Sequence, residues 1–172
     1  MLADFDAAVT GIAAQPFLLT GPDRGRTRRH VPDLLLTGTD GGITVVDVKA
    51  PSRMADPGVR EQFAWTRRVC AGRGWAFEAW SGADSRLLAN VRFLAGYRRP
   101  AVIDAGLIPA VLDAAAGQSS AGAIERALSP RHPRVLVRPV VLHLLWSGRL
   151  RADLTRPLSV EAPVWPAEAV TG

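Results

Sequence analysis

The stretch DLLLTGTDGGITVVDV, residues 33–48, constrains the fold more than any other part of the chain. Two runs of Leu, Ile, Val and Thr flank a cluster of Gly, Thr and Asp, which is the chemistry of a β-hairpin. The spacing predicts one β-rich run over 29–38 and its partner over 42–50. Residues two apart in a strand share a face, so Ile43, Val45, Asp47 and Lys49 lie together, opposite Thr44, Val46 and Val48. Asp33, directly after Pro32, stands on the partner strand. A register that brings Asp33 beside Asp47 gathers two carboxylates and one ammonium at one end of the hairpin.

The flanking sequence predicts a compact α/β unit. VTGIAAQPFLL (9–19) is an extended entry with an edge or bend at Pro16. GPDRGRTR (21–28) has the composition of a polar turn or loop. GVREQFAWTRRVCAGRG, after Pro57, has helical spacing with a stop at Gly72 or Gly74. WAFEAWS (75–81) alternates as a strand, and DSRLLANVRFLAGY (84–97) is an amphipathic helix capped by Asp84 or Ser85. RRPAVID (98–104) is the expected linker. Helical patterns over 104–116, 119–128 and 132–148 follow, then a β-hairpin over 149–165 turning near 155–157. Three helices and a hairpin follow one another in the order of a winged helix, a variant of helix-turn-helix. The expected division is therefore an α/β domain over 1–100 and a winged-helix domain over 101–172.

Composition narrows the function classes. No apolar run reaches the length of a membrane span, the N-terminus lacks the features of a secretory signal, and the single Cys70 offers neither a disulfide framework nor a cysteine zinc site. These features predict a cytoplasmic protein. A net charge of +5 makes a polyanion a reasonable partner, although a solvated basic surface explains the charge equally well.

Lys49 is the one lysine against 20 arginines, and it stands two residues from an aspartate in an apolar strand. Ionisable groups in such a strand are costly unless paired or used. Two carboxylates suit Mg²⁺, which takes one or two protein carboxylates together with waters and a phosphate oxygen. A neighbouring lysine orients the attacking water and stabilises charge on the phosphate. Lysine suits that task as a compact ammonium whose proton affinity responds to its surroundings, whereas arginine stays protonated. The alternative is a rim ion pair between Asp47 and Lys49, of about 0–1 kcal/mol.

VPDLLL followed by DVK resembles the signature of the PD-(D/E)xK nucleases, with Asp33, Asp47 and Lys49 in the motif positions. DFDAAVTGIAAQPF, RRHVPDLLL, VVDVKAP, FAWTRRVCAGRGWAFEAWSGAD and LLANVRFLAGYRRP together resemble the TnsA-like endonuclease subunits of heteromeric transposases, along nearly the whole chain. The resemblance implies an α/β fold: a restriction-endonuclease-like core, a mixed sheet flanked by helices, followed by a C-terminal winged helix. It implies cleavage of one DNA strand at transposon ends with Mg²⁺ (Mn²⁺ as a substitute), beside an integrase-type transposase partner. Asp33 and Asp47 would hold the metal, and Asp33, Asp47 and Lys49 would carry the catalysis. The family pattern also places a glutamate on a helix before the first strand, and no glutamate precedes Glu61 here. A catalytically incomplete DNA-binding or transposase-docking subunit, left by N-terminal truncation, is the alternative, and a PD-(D/E)xK restriction or repair nuclease is a third.

Arg60, Arg67 and Arg68, with Gln62, lie on the helix after the lysine strand, where such nucleases border DNA. Arg131, Arg134 and Arg138 flank or occupy the third helix of the tail, in the place of a recognition helix, and Arg149, Arg151 and Arg156 accompany the hairpin. All are candidate DNA contacts, and the tail equally suits docking to a protein. His30 is expected to be a local hydrogen-bonding residue rather than a ligand. Trp65, Trp75 and Trp80 are expected to pack in the core or on the sheet, His143 and Trp146 to pack in the tail, and Cys70 to be buried and inert.

Overall fold

The computed structural model describes residues 1–117 and 119–167. The chain divides into two compact units, Asp6–Ala83 and a second that joins Met1–Phe5 to the residues from Asp84 onward. A one-turn helix, α1 (Leu2–Phe5), opens the chain. The first unit then runs β1 (Val9–Ala14), β2 (Leu19–Asp23), β3 (Arg26–His30), β4 (Leu34–Gly38), β5 (Ile43–Val48), α2 (Pro57–Ala71) and β6 (Ala76–Trp80).

Four strands form a mixed sheet in the order β1-β4-β5-β6. The first three are antiparallel neighbours, and β6 lies parallel to β5. A parallel pair needs a crossover, and α2 supplies it. The hairpin expected across GTDGG joins β4 to β5, with Leu34 opposite Val46 and Thr37 opposite Ile43. Gly41 takes φ 77° in its turn, a region open to glycine at little cost. Asp40 braces the same turn by accepting a hydrogen bond from the Gly42 amide at 2.8 Å. Val45 and Val46 are both buried, so each face of β5 is covered at its middle.

Two expectations need correction. The run 29–38 is not one strand: it breaks across residues 31–33, where Pro32 lacks the N–H a ladder requires. The polar segment 21–28 is not a loop but most of a second hairpin, in which β2 pairs antiparallel with β3. Its turn is Arg24–Gly25, at φ 50° and 82°. This hairpin has little apolar alternation because it is anchored by polar contacts to α2. Trp65 donates its indole N–H to the Pro22 carbonyl at 3.1 Å. The buried Asp23 accepts from Arg28 at 2.7 Å and from Arg68 at 3.0 Å.

α2 follows its sequence signals closely. Asp56 caps it by accepting from the Gly58 and Val59 amides, Pro57 occupies the first turn, and Gly72 ends it. Val59, Phe63, Trp65, Thr66 and Cys70 form its buried face. Each large apolar side chain among them stabilises the fold by about 1.5–3 kcal/mol through area removed from water.

The second unit contains α3 (Ser85–Leu94), α4 (Ile108–Gly117), α5 (Ala121–Leu128), α6 (Arg134–Trp146), β7 (Leu150–Ala152) and β8 (Val164–Pro166). Asp84 caps α3. Leu94, Val111, Ile124, Val137, Val140, Leu144, Leu150 and Val164 meet in one apolar core. α3, which the sequence reading assigned to the first domain, contributes to this core through Leu94. Its buried Asn90 donates to the carbonyls of Leu154 at 2.8 Å and Arg156 at 2.7 Å. The division between compact units accordingly falls at Ala83–Asp84, ahead of the expected boundary near residue 100. The arms of the second hairpin are three residues each, joined by a long connection that bridges back to Ser120 through Pro163. Among the described residues no helix is long and apolar enough to cross a membrane.

Candidate functional site

Asp47 lies near the end of β5, on the face it shares with Val45, and is fully enclosed. The register that pairs Leu34 with Val46 brings Asp33, one residue before β4, level with Asp47. Asp33 spends one carboxylate oxygen on the Val48 amide, which donates to it at 2.7 Å. Lys49 follows the last residue of β5. Its amide donates to the Trp80 carbonyl at 2.9 Å, and its ammonium donates to the Val48 carbonyl at 3.3 Å. Among the described residues no ion pair joins Lys49 to Asp47, so the rim ion pair weighed from sequence does not form.

The partner of Asp47 is His30, the last residue of β3. Nε2 of His30 stands 2.9 Å from Oδ1 and 2.8 Å from Oδ2 of Asp47. Behind the ring, the side-chain nitrogen of Gln62 on α2 lies 2.7 Å from Nδ1. A chain of Gln62, His30 and Asp47 therefore joins three elements. The sequence reading put His30 in a local hydrogen-bonding role; the structure gives it a partner 17 residues away. Neither His30 nor Gln62 stood among the expected catalytic or metal residues. Only the position of His30, just before Pro32–Asp33, hinted at the site.

Cys70, on α2, is buried as expected. Its thiol is pushed up by burial, and the Asp47 charge adds to that shift while Arg73 opposes it. It remains a protonated, inert group.

Two carboxylates are the donor type a hard cation takes together with water and phosphate oxygens, but here both oxygens of the buried Asp47 face His30 and one oxygen of Asp33 accepts from the Val48 amide. Among the described residues, no group of three or more His, Cys, Asp or Glu side chains gathers to hold a metal ion.

The candidate DNA contacts separate into two sets. Arg68 is committed to Asp23, Arg67 lies over the Phe77 ring at 5.4 Å, and Arg138 forms a two-pronged ion pair with buried Glu125 at 2.8 and 2.9 Å. Arg60, Arg131 and Arg134 are exposed, and among the described residues their side chains make no hydrogen bond or ion pair. Of the tryptophans, Trp65 is buried, Trp75 stacks on Phe17 at 5.6 Å, and Trp146 packs against Phe5 at 5.3 Å. His143 directs Nδ1 to the Tyr97 carbonyl at 2.7 Å.

No protein-family model matches the chain, and no curated protein sequence matches it.

Proposed function

We propose that this chain is the metal-dependent DNA endonuclease subunit of a heteromeric transposase, cutting one strand at transposon ends beside an integrase-type transposase. The fold would be a PD-(D/E)xK core followed by a winged helix. The observation that carries the proposal is the β4–β5 register, which sets Asp33 level with Asp47 and leaves Lys49 two residues beyond. Supporting it, three antiparallel strands continue through α2 into a parallel fourth, an arrangement compatible with such a core. The order α4, α5, α6, β7, β8 is likewise that of a winged helix.

In this proposal Asp33 and Asp47 hold Mg²⁺ or Mn²⁺, which when bound supplies Lewis acidity at the phosphate and a more acidic water. Lys49 turns its ammonium from the Val48 carbonyl toward the scissile phosphate, orients the attacking water and offsets the charge that develops. Arg60, Arg131 and Arg134 provide phosphate contacts. The test is Lys49→Ala in the assembled transposase on transposon-end DNA. Nicking should fall to background while the circular dichroism spectrum stays unchanged; nicking at the wild-type rate removes Lys49 and this site from the mechanism.

A second function, a non-catalytic DNA-binding or partner-docking subunit, is favoured by one observation. Both oxygens of Asp47 are engaged by His30 inside the protein, and Asp33 is tied to a backbone amide. Calorimetric titration with divalent cations separates the two. Binding that is lost in Asp47→Asn supports the nuclease, whereas DNA binding without any cation binding supports the second function.

A further inference from the structure

The excess positive charge of the chain is concentrated on two adjoining elements. The β2–β3 hairpin and α2 carry seven arginines against Asp23 and Glu61, a surplus equal to the net charge of +5 of the whole chain. All other residues together balance, with 14 basic and 14 acidic groups. The two acids leave most of the cluster uncompensated. Asp23 takes Arg28 and Arg68, and the single charge of Glu61 is shared by Arg24, Arg26 and Arg28 at 3.4, 3.5 and 3.6 Å. Arg24 and Arg26 are exposed, and exposed pairs of this kind hold their side chains weakly. Arg29 is exposed too, and among the described residues its side chain makes no hydrogen bond or ion pair.

The hairpin turns a polar face outward. Leu19, Gly21, Asp23, Arg28 and His30 point inward, and Thr20, Pro22, Thr27 and Arg29 are exposed on the other side. That outer face has no aromatic ring on which a base of single-stranded nucleic acid would stack. It has no large apolar side chain to anchor a protein interface. It offers hydroxyl and guanidinium donors, the groups that meet phosphates. The major groove of B-form DNA admits a two-stranded ribbon, whereas the deep, narrow groove of duplex RNA is closed to it. Trp65 fastens the hairpin to α2 and His30 fastens it to β5, so the donors are presented with little ordering left to do on binding.

The tip is an independent sign. Arg24 and Gly25 take φ 50° and 82°, the positive angles of a two-residue hairpin turn, in which Asn, Asp or Gly is the favoured first residue. Arginine stands there against that preference, with its guanidinium in solvent.

We propose that the β2–β3 hairpin is a DNA-binding ribbon: it lies in the major groove of duplex DNA, with Arg24, Arg26 and Arg29 on the phosphates. The inference rests on DNA as partner, common to both functions proposed above, and names an element that neither of them uses.

The test is fluorescence anisotropy of the full chain on a labelled DNA duplex at several salt concentrations, with thermal unfolding of each variant alongside. Arg24→Asn removes the charge and installs a residue the turn favours. It should unfold no earlier than the wild type, yet lower the slope of log affinity against log salt by about 0.9. Arg24→Asn, Arg26→Gln and Arg29→Gln combined should lower it by about 2.7. Arg86→Ala removes the same charge from the exposed side of α3 and should leave the slope unchanged. A combined variant that binds duplex as the wild type does overturns the ribbon and leaves the functions above in place. A slope lowered equally by Arg86→Ala overturns it as well, because the effect would then be one of total charge. Tighter binding to a labelled single strand than to the duplex overturns the groove assignment. No binding of duplex by the wild-type chain overturns the ribbon and the DNA partner together.

Discussion

Asp23 illustrates how single side chains decide the position of the candidate site. Its carboxylate is buried and paired with Arg28 and Arg68, which fastens the β2–β3 hairpin to α2 and so fixes His30. The Arg28 hydrogen bond, followed by the charges of Arg28, Arg68 and Arg24, holds the Asp23 carboxyl below the usual carboxylate range against the opposing effect of burial. A depressed folded value means that this group's stabilisation is complete above the unfolded pKa of about 3.9 and is lost as pH falls through the folded value. Acid unfolding followed by fluorescence should therefore show a shallower loss of stability below about pH 4 in Asp23→Asn than in the wild type. At this scale the sequence placed Asp33 level with Asp47 at one end of the hairpin, because strand alternation and a hairpin turn are local signals. It did not disclose the His30–Asp47 contact, which depends on a hairpin whose anchoring is ionic and leaves no apolar pattern to detect.

Among the elements, α6 departs most from its expected role. Its early outward residues include Val135, 75% exposed, and Leu136, 44% exposed. Arg138, within the helix, is spent on Glu125, whose carboxylate raises the affinity of the guanidinium for its proton. Arg138 was a candidate DNA contact, and its present engagement makes it a structural residue first. Arg138→Met should destabilise the second unit by about 2 kcal/mol in urea unfolding. That is less than the 3–5 kcal/mol for breaking a fully enclosed pair, because about half of the Arg138 side chain stays in water. The helices were legible from periodicity and from their ends, as Asp84 and Gly72 show. The assignment of α3 to the second unit was not, because an amphipathic pattern states that a face is buried without stating against which neighbour.

For the molecule as a whole, the net charge of +5 already counts each ion pair as zero, so what matters for a polyanion is which arginines stand outside such pairs. Of the arginines weighed as DNA contacts, Arg68 and Arg138 neutralise buried acids, and Arg60, Arg131 and Arg134 remain exposed. If the chain grips duplex DNA through exposed arginines, affinity should fall steeply with salt. A plot of log affinity against log salt should lose about 0.9 of its slope for each phosphate contact removed. Arg131→Ala and Arg134→Ala should each reduce that slope, and Arg68→Ala should leave it unchanged. Titrations at several salt concentrations, read by fluorescence anisotropy, measure this directly.

The β4–β5 turn has a consequence for how such a site is mapped. Gly41 adopts a backbone angle of 77°, and Asp40 sits so close to Gly38 that an added Cβ there would press on its carboxylate. This turn sets the pairing of Leu34 with Val46, and a one-residue slip would carry Asp47 to the opposite face of the sheet. Sensitivity to substitution is therefore expected to peak at two remote points, the acids and the glycines. A mutational scan scored on function alone would award the turn the profile of a reactive centre, although no atom in it comes near the chemistry.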